Sequence, residues 1–86
     1  MNIPKLDQDG KRVLQVIKDR GVATGREIAA AVNLDPAKLS SIVQSLVSSD
    51  LVTASGNIYG PEGVYEAYFN IRPSNLSLAE FVLRSA

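Results

Sequence analysis

Two helix-start signals, separated by one short apolar stripe, constrain the fold of this chain more than any other feature. Thr24-Gly25-Arg26-Glu27 has the pattern of a capping box, in which threonine and glutamate side chains each accept from the other residue's backbone amide. Asp35-Pro36 is typical of a second start, with aspartate as the N-cap and proline in the first helical position. Between them, Asn33 tolerates the left-handed conformation that a tight turn requires. The sequence therefore predicts helices over about 25–32 and 36–49, joined by a sharp turn.

The apolar residues around this turn recur at helical spacing. Ile28, Ala29 and Val32 form a narrow stripe before the turn, and Leu34 is placed to plug it. The helix over 36–49 has an apolar face made of Leu39, Ile42, Val43, Leu46 and Val47. Its opposite face carries Ala37, Ser41, Gln44, Ser45 and Ser48, with Lys38 on the flank. An earlier helix is predicted over about 6–20, with Leu6, Val13, Leu14 and Ile17 on its apolar face.

From Leu51 to Arg72 the apolar residues change to the two-residue period of β-strands. Gly60-Pro61-Glu62-Gly63 predicts a turn, with proline suited to its second position. After the turn, Tyr65, Ala67, Phe69 and Ile71 alternate with Val64, Glu66, Tyr68 and Asn70. The sequence therefore predicts a β-hairpin over about 51–72. We expect Tyr59, Tyr65 and Phe69 to pack within the hairpin, and Tyr68 to face outward.

Ser77-Leu78-Ala79-Glu80 has the pattern of another capping box and predicts a last helix over about 78–84. This helix has two apolar stripes, one made of Leu78, Phe81 and Val82 and the other of Leu76, Ala79 and Leu83. A helix with two apolar faces usually packs against two partners. One is expected to be the core and the other a second copy of the chain, which makes Leu76 and Leu83 the candidate dimerisation residues.

Composition excludes several classes of chemistry. The 86 residues include no cysteine and no histidine, so disulfides are excluded and zinc, haem and iron–sulfur sites lack their usual ligands. No nucleophile is paired with a base in the sequence, and we expect neither an enzyme nor a protein that holds a cofactor or metal. No apolar run approaches the ~18 residues of a membrane span, and the start has no signal-peptide pattern. The predicted location is therefore cytoplasmic, away from membranes.

Residues 25–46, which read GREIAAAVNLDPAKLSSIVQSL, resemble a helix-turn-helix unit. That motif has a small residue where its helices cross, here Ala29, and a residue that tolerates positive φ in its turn, here Asn33. With the helix before it and the hairpin after it, residues 6–72 resemble bacterial winged-helix repressors. The resemblance implies a single domain over residues 1–86 with an α+β, mainly helical fold. Its parts are a three-helix helix-turn-helix core, a β-hairpin wing and a C-terminal helix.

In that family the third helix enters the DNA major groove, so the resemblance implies double-stranded DNA as the partner and transcriptional regulation as the function. A homodimer would place two copies of the third helix about one turn of DNA apart. Lys38 would then bond to guanine and Gln44 to adenine. Residues at the start of the second helix would hold phosphate. The implied DNA-binding residues are Thr24, Arg26, Lys38, Ser41, Gln44 and Ser45.

The distribution of charge favours a competing hypothesis. Nine Lys and Arg balance nine Asp and Glu, so the net charge is zero, and the third helix carries a single basic residue, Lys38. The wing carries Glu62 near its tip and Glu66 on its outer face, and both oppose contact with phosphate. The remaining phosphate contacts would then come from Lys11, Arg12, Lys18 or Arg20. The alternative function is a winged helix that binds a protein partner, as an adaptor or as a subunit of an assembly.

Overall fold

The chain forms three helices, then a segment with two short strands and a short helix between them, and then a final helix. One further short strand lies between the first two helices. The computed structural model describes residues 7–84; Leu6, expected in the first helix, lies outside them. In chain order the elements are α1 (Gln8–Arg20), β1 (Val22–Thr24), α2 (Gly25–Val32), α3 (Pro36–Ser48), β2 (Thr53–Ser55), α4 (Gly63–Glu66), β3 (Tyr68–Asn70) and α5 (Leu76–Arg84). This architecture confirms the predicted α+β, mainly helical fold class.

Side-chain caps begin the first three helices. At α1, Asp7 Oδ1 accepts from the Gly10 amide at 2.8 Å. At α2 the predicted capping box is confirmed: Thr24 Oγ1 accepts from the Glu27 amide at 3.1 Å, and Glu27 Oε1 accepts from the Thr24 amide at 2.9 Å. At α3, Asp35 Oδ1 accepts from the Lys38 amide at 2.8 Å. Caps of this kind stabilise a helix by about 0.5–2 kcal/mol each.

The sheet has three antiparallel strands in the order β1-β3-β2. Ala23 and Ala54 are the register partners of Phe69, whose side chain is fully buried. Strand β1 was not predicted from the sequence. A strand of three residues is too short to display the alternation by which strands are recognised, and it is fixed instead by its pairing with β3.

The predicted hairpin over 51–72 is confirmed in its two paired strands, β2 and β3, but was wrong over residues 63–66. Residues expected to continue a strand form α4 instead, and the Val64 amide donates to the Gly60 carbonyl at 3.1 Å. Val64 is fully buried, and α4 packs against α2 and α3. This segment is therefore helical although its sequence alternates with the two-residue period of a strand, because the helix buries the Val64 side chain. Tyr59, expected to pack within the hairpin, is instead 77% exposed.

The last helix begins earlier than predicted. A 3₁₀ turn over Pro73–Asn75 leads directly into Leu76, so Ser77 lies inside α5 and cannot be its N-cap. Proline fixes a φ that suits the first position of a helical segment, and the Asn75 side chain donates to the Asp50 carbonyl at 2.6 Å. The second predicted capping box was therefore wrong, because an earlier turn already starts the helix.

The core lies between α1, the two helices after it, the sheet and α5. From α5 it takes Ala79 and Val82, which the sequence had placed on separate stripes, so that division was wrong. The remaining buried apolar residues are Val13, Leu14, Ile17, Ala23, Ile28, Val32, Leu39, Val43, Leu46, Leu51, Val52, Ile58, Val64, Ala67 and Phe69. Among the helices described here, none is both long and apolar enough to cross a membrane.

Candidate nucleic-acid interface

The turn between α2 and α3 leaves one side of α3 open to solvent. Asn33 takes the left-handed conformation predicted for it, with φ 56° and ψ 50°, and its amide donates to the Ala29 carbonyl at 2.8 Å. Leu34 is half-buried beside it. Most of the polar side chains of α3 are exposed; Ser40 is buried and Gln44 is half-buried. We call the open side the outer face of α3; it consists of the exposed Ala37, Lys38, Ser41, Ser45 and Ser48 and the half-buried Gln44.

At the start of α2, backbone amides and the Thr24 hydroxyl already have partners. The Thr24 hydroxyl bonds to Glu27, and the Gly25 amide donates to the Ala67 carbonyl at 3.0 Å. Glu27 also forms an ion pair with Arg20. A carboxylate of the chain itself therefore occupies the first turn, where a helix would otherwise attract an anion. Of the two candidates at this end of α2, the Arg26 side chain is therefore better suited to contact an anion than Thr24 and its neighbouring amides.

Because of the capping box, the stability of the fold is expected to change with pH below 4.5, the ordinary pKa of a glutamate. The pKa of Glu27 is lowered from 4.5, chiefly because its carboxylate accepts from the Thr24 amide and hydroxyl, with Arg20 adding to the effect. A carboxylate with a lowered folded-state pKa stabilises the fold above its unfolded pKa, and that contribution is lost as pH falls through the folded value. We expect Glu27→Gln to be less stable than wild type at neutral pH and the two to converge below pH 4.5. Urea unfolding across this range measures both; a difference that is constant with pH would contradict the assignment.

Arg26 is held against α4. Its Nη2 atom lies 2.7 Å from Glu66 Oε1, and its guanidinium carbon lies 5.5 Å from the centroid of the Tyr65 ring. Both partners of the ion pair are largely exposed, at 69% and 74%. Exposed pairs contribute only about 0–1 kcal/mol, so a phosphate could replace the Glu66 carboxylate at little cost.

Lys38, on the outer face of α3, is paired across to α1. Its Nζ atom lies 3.4 Å from Asp9 Oδ2, and Arg12 lies 3.7 Å from the other oxygen of the same carboxylate. From the sequence, Lys38 was predicted to contact DNA, but its ion pair with Asp9 was not predicted. The acidic residue therefore lies next to the one basic side chain of α3 and lowers its availability to a phosphate or a base.

Gln44 is held by a residue that the sequence analysis did not single out. Its Nε2 atom donates to Ser40 Oγ at 3.0 Å, and the Ser40 hydroxyl donates to the carbonyl of Ile58. Ser40 is only 4% exposed. The sequence feature that could have identified Ser40 is its four-residue spacing from Gln44, which places both side chains on one side of a helix.

The remaining candidate residues lie in different places. Ser41 and Ser45 are exposed, and Ser49 Oγ donates to the Ser45 carbonyl rather than to its hydroxyl. Of the two dimerisation candidates, Leu76 is 40% exposed, while Leu83 packs partly against the core.

Within residues 7–84, no cluster of three or more acidic side chains has the arrangement of a metal site.

Comparisons with known proteins agree with this geometry. A family model described as winged helix-turn-helix DNA-binding matches residues 6–53, which include α1, α2 and α3. No curated protein is matched by sequence.

Three solved structures share the fold at low sequence identity. That of BpsR from Bordetella bronchiseptica, reported with a mechanism by which 6-hydroxynicotinic acid regulates its DNA binding, has a TM-score of 0.72 and 18% identity over 96% of this chain and 61% of that one. A mutant MarR from E. coli has a TM-score of 0.70 and 18% identity over 90% of this chain and 54% of that one. The adhesin competence repressor AdcR from Streptococcus pyogenes has a TM-score of 0.67 and 19% identity, covering 91% and 55% of the two chains. The present chain thus spans 61%, 54% and 55% of the length of these three chains.

Proposed function

This chain belongs to the winged helix-turn-helix DNA-binding family, and we propose that it acts as a transcriptional regulator whose α3 docks in the DNA major groove. One observation carries the proposal: the outer face of α3 stays open to solvent while the opposite face of the same helix is in the core. A helix presented in this way can enter a groove without unfolding any part of the domain.

The side chains of the outer face suit the reading of base edges. Serine hydroxyls can donate and accept, and the Gln44 amide carries both an acceptor and donors. Gln44 is proposed to bond to adenine and Lys38 to guanine, each worth about 1–3 kcal/mol of discrimination. Ser41 and Ser45 are proposed to contact neighbouring bases or phosphates.

Phosphate contacts are proposed to form by exchange of partners. Arg26 would leave Glu66 as a phosphate approaches, and Lys38 would leave Asp9 to reach guanine in the groove. Because the net charge is zero, we expect non-specific affinity to be weak and specific contacts to carry most of the discrimination. Thr24 would contribute by holding the first turn of α2 in place beside Arg26.

We further propose that the regulator is a cytoplasmic homodimer that acts by binding and not by catalysis. Leu76, exposed on α5, and the partly buried Leu83 are the proposed contacts between copies. AdcR is named as a repressor, and BpsR is described by the regulation of its DNA binding, which supports a regulatory role for a domain of this fold.

A second candidate is a winged helix that binds a protein partner. The observation in its favour is that Arg20, Arg26 and Lys38, the cations nearest α2 and the start of α3, all form ion pairs with carboxylates of the same chain. A surface that is neutral in this way suits a protein partner as well as a nucleic acid.

Fluorescence anisotropy with labelled duplex DNA over a range of salt concentrations separates the two functions. We expect Arg26→Ala and Lys38→Ala each to reduce the slope of log affinity against log salt by about 1. Arg72→Ala is the matched control, because Arg72 forms a similar exposed pair with Asp50, at a distance of 3.7 Å, near the opposite end of α3. Unchanged slopes in the first two variants, or no DNA binding by the wild type, would favour the protein-binding function.

A further inference from the structure

We infer that Ser40 is a positioning residue for base reading, because its buried hydroxyl fixes which way the Gln44 amide faces. The inference rests on the proposed function and adds to it a residue that does not itself contact DNA. It also assigns a role to Ile58, which lies between β2 and α4 and whose carbonyl accepts from Ser40.

The direction of the two hydrogen bonds follows from the inventory of donors. A serine hydroxyl has one proton to donate and two lone pairs that accept. That proton is donated to the Ile58 carbonyl, which can only accept. Ser40 Oγ can therefore only accept from Gln44, so the glutamine must present its Nε2 and not its Oε1 to the serine. The orientation of the amide is thus determined by a backbone carbonyl outside α3.

Because Ser40 is buried, the orientation of the Gln44 amide is tightly constrained. Ser40 is 4% exposed, so water has little access to replace either partner of its hydroxyl. Removing the hydroxyl would leave the Ile58 carbonyl without this donor, and an unsatisfied buried group is costly. The relay from Ile58 to Ser40 to Gln44 is therefore part of the folded structure before any DNA arrives.

The remaining atoms of Gln44 match one base. After one N–H is given to Ser40, the amide keeps one N–H donor and its Oε1 acceptor. Adenine presents a complementary pair in the major groove, with N7 accepting and the N6 amino group donating. If the amide were reversed, donor and acceptor would exchange positions and the match in this register would be lost. Ser40 is thus inferred to determine specificity at the base pair that Gln44 reads.

The test compares base preference across a set of variants. Preferred sites are selected by the wild-type chain from a randomised duplex library. The best site and its single-base-pair variants are then titrated with wild type, Gln44→Ala, Ser40→Ala, Ser40→Thr and the double variant S40A/Q44A. Ser49→Ala is the matched control, because Ser49 is also at α3 but its hydroxyl bonds to a backbone carbonyl of the same helix. Circular dichroism establishes folding, and Ser40→Cys replaces Ser40→Ala if the latter is unfolded.

We expect Gln44→Ala to lose discrimination at one base pair by about fivefold to a hundredfold. Ser40→Ala should lose discrimination at the same pair, and the double variant should be no worse than Gln44→Ala. Ser40→Thr, which keeps a hydroxyl, and Ser49→Ala should keep the wild-type preference. The inference is overturned if Ser40→Ala keeps the preference that Gln44→Ala loses, or if Gln44→Ala loses none. Absence of DNA binding by the wild type would overturn the proposed function together with this inference.

Discussion

Replacement of Gly25 by alanine is expected to lower the free energy of unfolding by about 3 kcal/mol. A Cβ atom at this position would lie 1.8 Å from the Val64 carbonyl oxygen and 2.7 Å from its carbon. These are backbone atoms of α4, so no change of side-chain rotamer can relieve the clash. Either α4 must move away from α2 or the α2 backbone must shift, and both movements disturb the bond from the Gly25 amide to the Ala67 carbonyl. The better helix propensity of alanine, about 1 kcal/mol, does not offset this cost.

Gly60→Ala is the matched control for this variant. Gly60 lies just before α4, and a Cβ atom there would meet nothing within 4 Å. We expect its free energy of unfolding to stay within about 0.5 kcal/mol of the wild type. Urea unfolding followed by circular dichroism measures both variants. If Gly25→Ala proved as stable as Gly60→Ala, the close approach of α4 to α2 would be refuted.

Placing a carboxylate on the outer face of α3 is expected to have the largest effect on function. Ser45 is exposed, so Ser45→Glu should leave the core intact. In the proposed complex the new charge lies close to DNA phosphates, and like charges brought together at an interface cost several kcal/mol. We expect the affinity for duplex DNA to fall by about tenfold to a hundredfold at low salt, and the loss to shrink as salt screens the repulsion. Anisotropy titrations at two salt concentrations measure the effect.

The control for this change is Ser74→Glu. Ser74 is exposed in the 3₁₀ turn before α5, so the substitution adds the same charge to another part of the surface. Its effect on DNA affinity should be no more than about twofold, because exposed charges separated by more than a Debye length are largely screened. Equal losses in the two variants would mean that net charge and not the position of α3 governs binding.

The helix-turn-helix geometry could be predicted from the sequence because its determinants are local. Thr24 and Glu27 cap α2 through bonds that span three residues, and Asp35 caps α3 in the same way. Asn33 has the left-handed backbone for which asparagine is well suited. Such features depend on neighbouring residues, and periodic apolar positions then identify the face that becomes buried.

The features that the sequence did not reveal depend on contacts between distant residues. Arg26 and Glu66 are separated by 40 positions, and nothing in either local pattern indicates that they meet. The same holds for β1, which exists through its pairing with β3. At α4 the local alternation was misleading, since burial of Val64 and the packing of α4 against α2 and α3 outweighed it.

The ion pairs of Arg26 and Lys38 bear on both proposed functions. Each cation is proposed to contact DNA, yet each already has a carboxylate partner. Exposed pairs are weak, so this arrangement would lower affinity without abolishing it. It also predicts a shallow salt dependence for the wild type, because fewer counterions would be released on binding.

A chemical-shift map of the isotopically labelled chain against a short duplex tests the position of the DNA interface most directly. If α3 docks in the major groove, the largest changes should fall on Ser41, Ser45 and the side-chain amide of Gln44, with smaller changes at Arg26. Residues on α5, such as Leu76, should be unaffected by a duplex that carries one site. Changes concentrated away from the outer face of α3, or none at concentrations well above the ~10⁻⁴ M non-specific range, would contradict the proposed role of this helix.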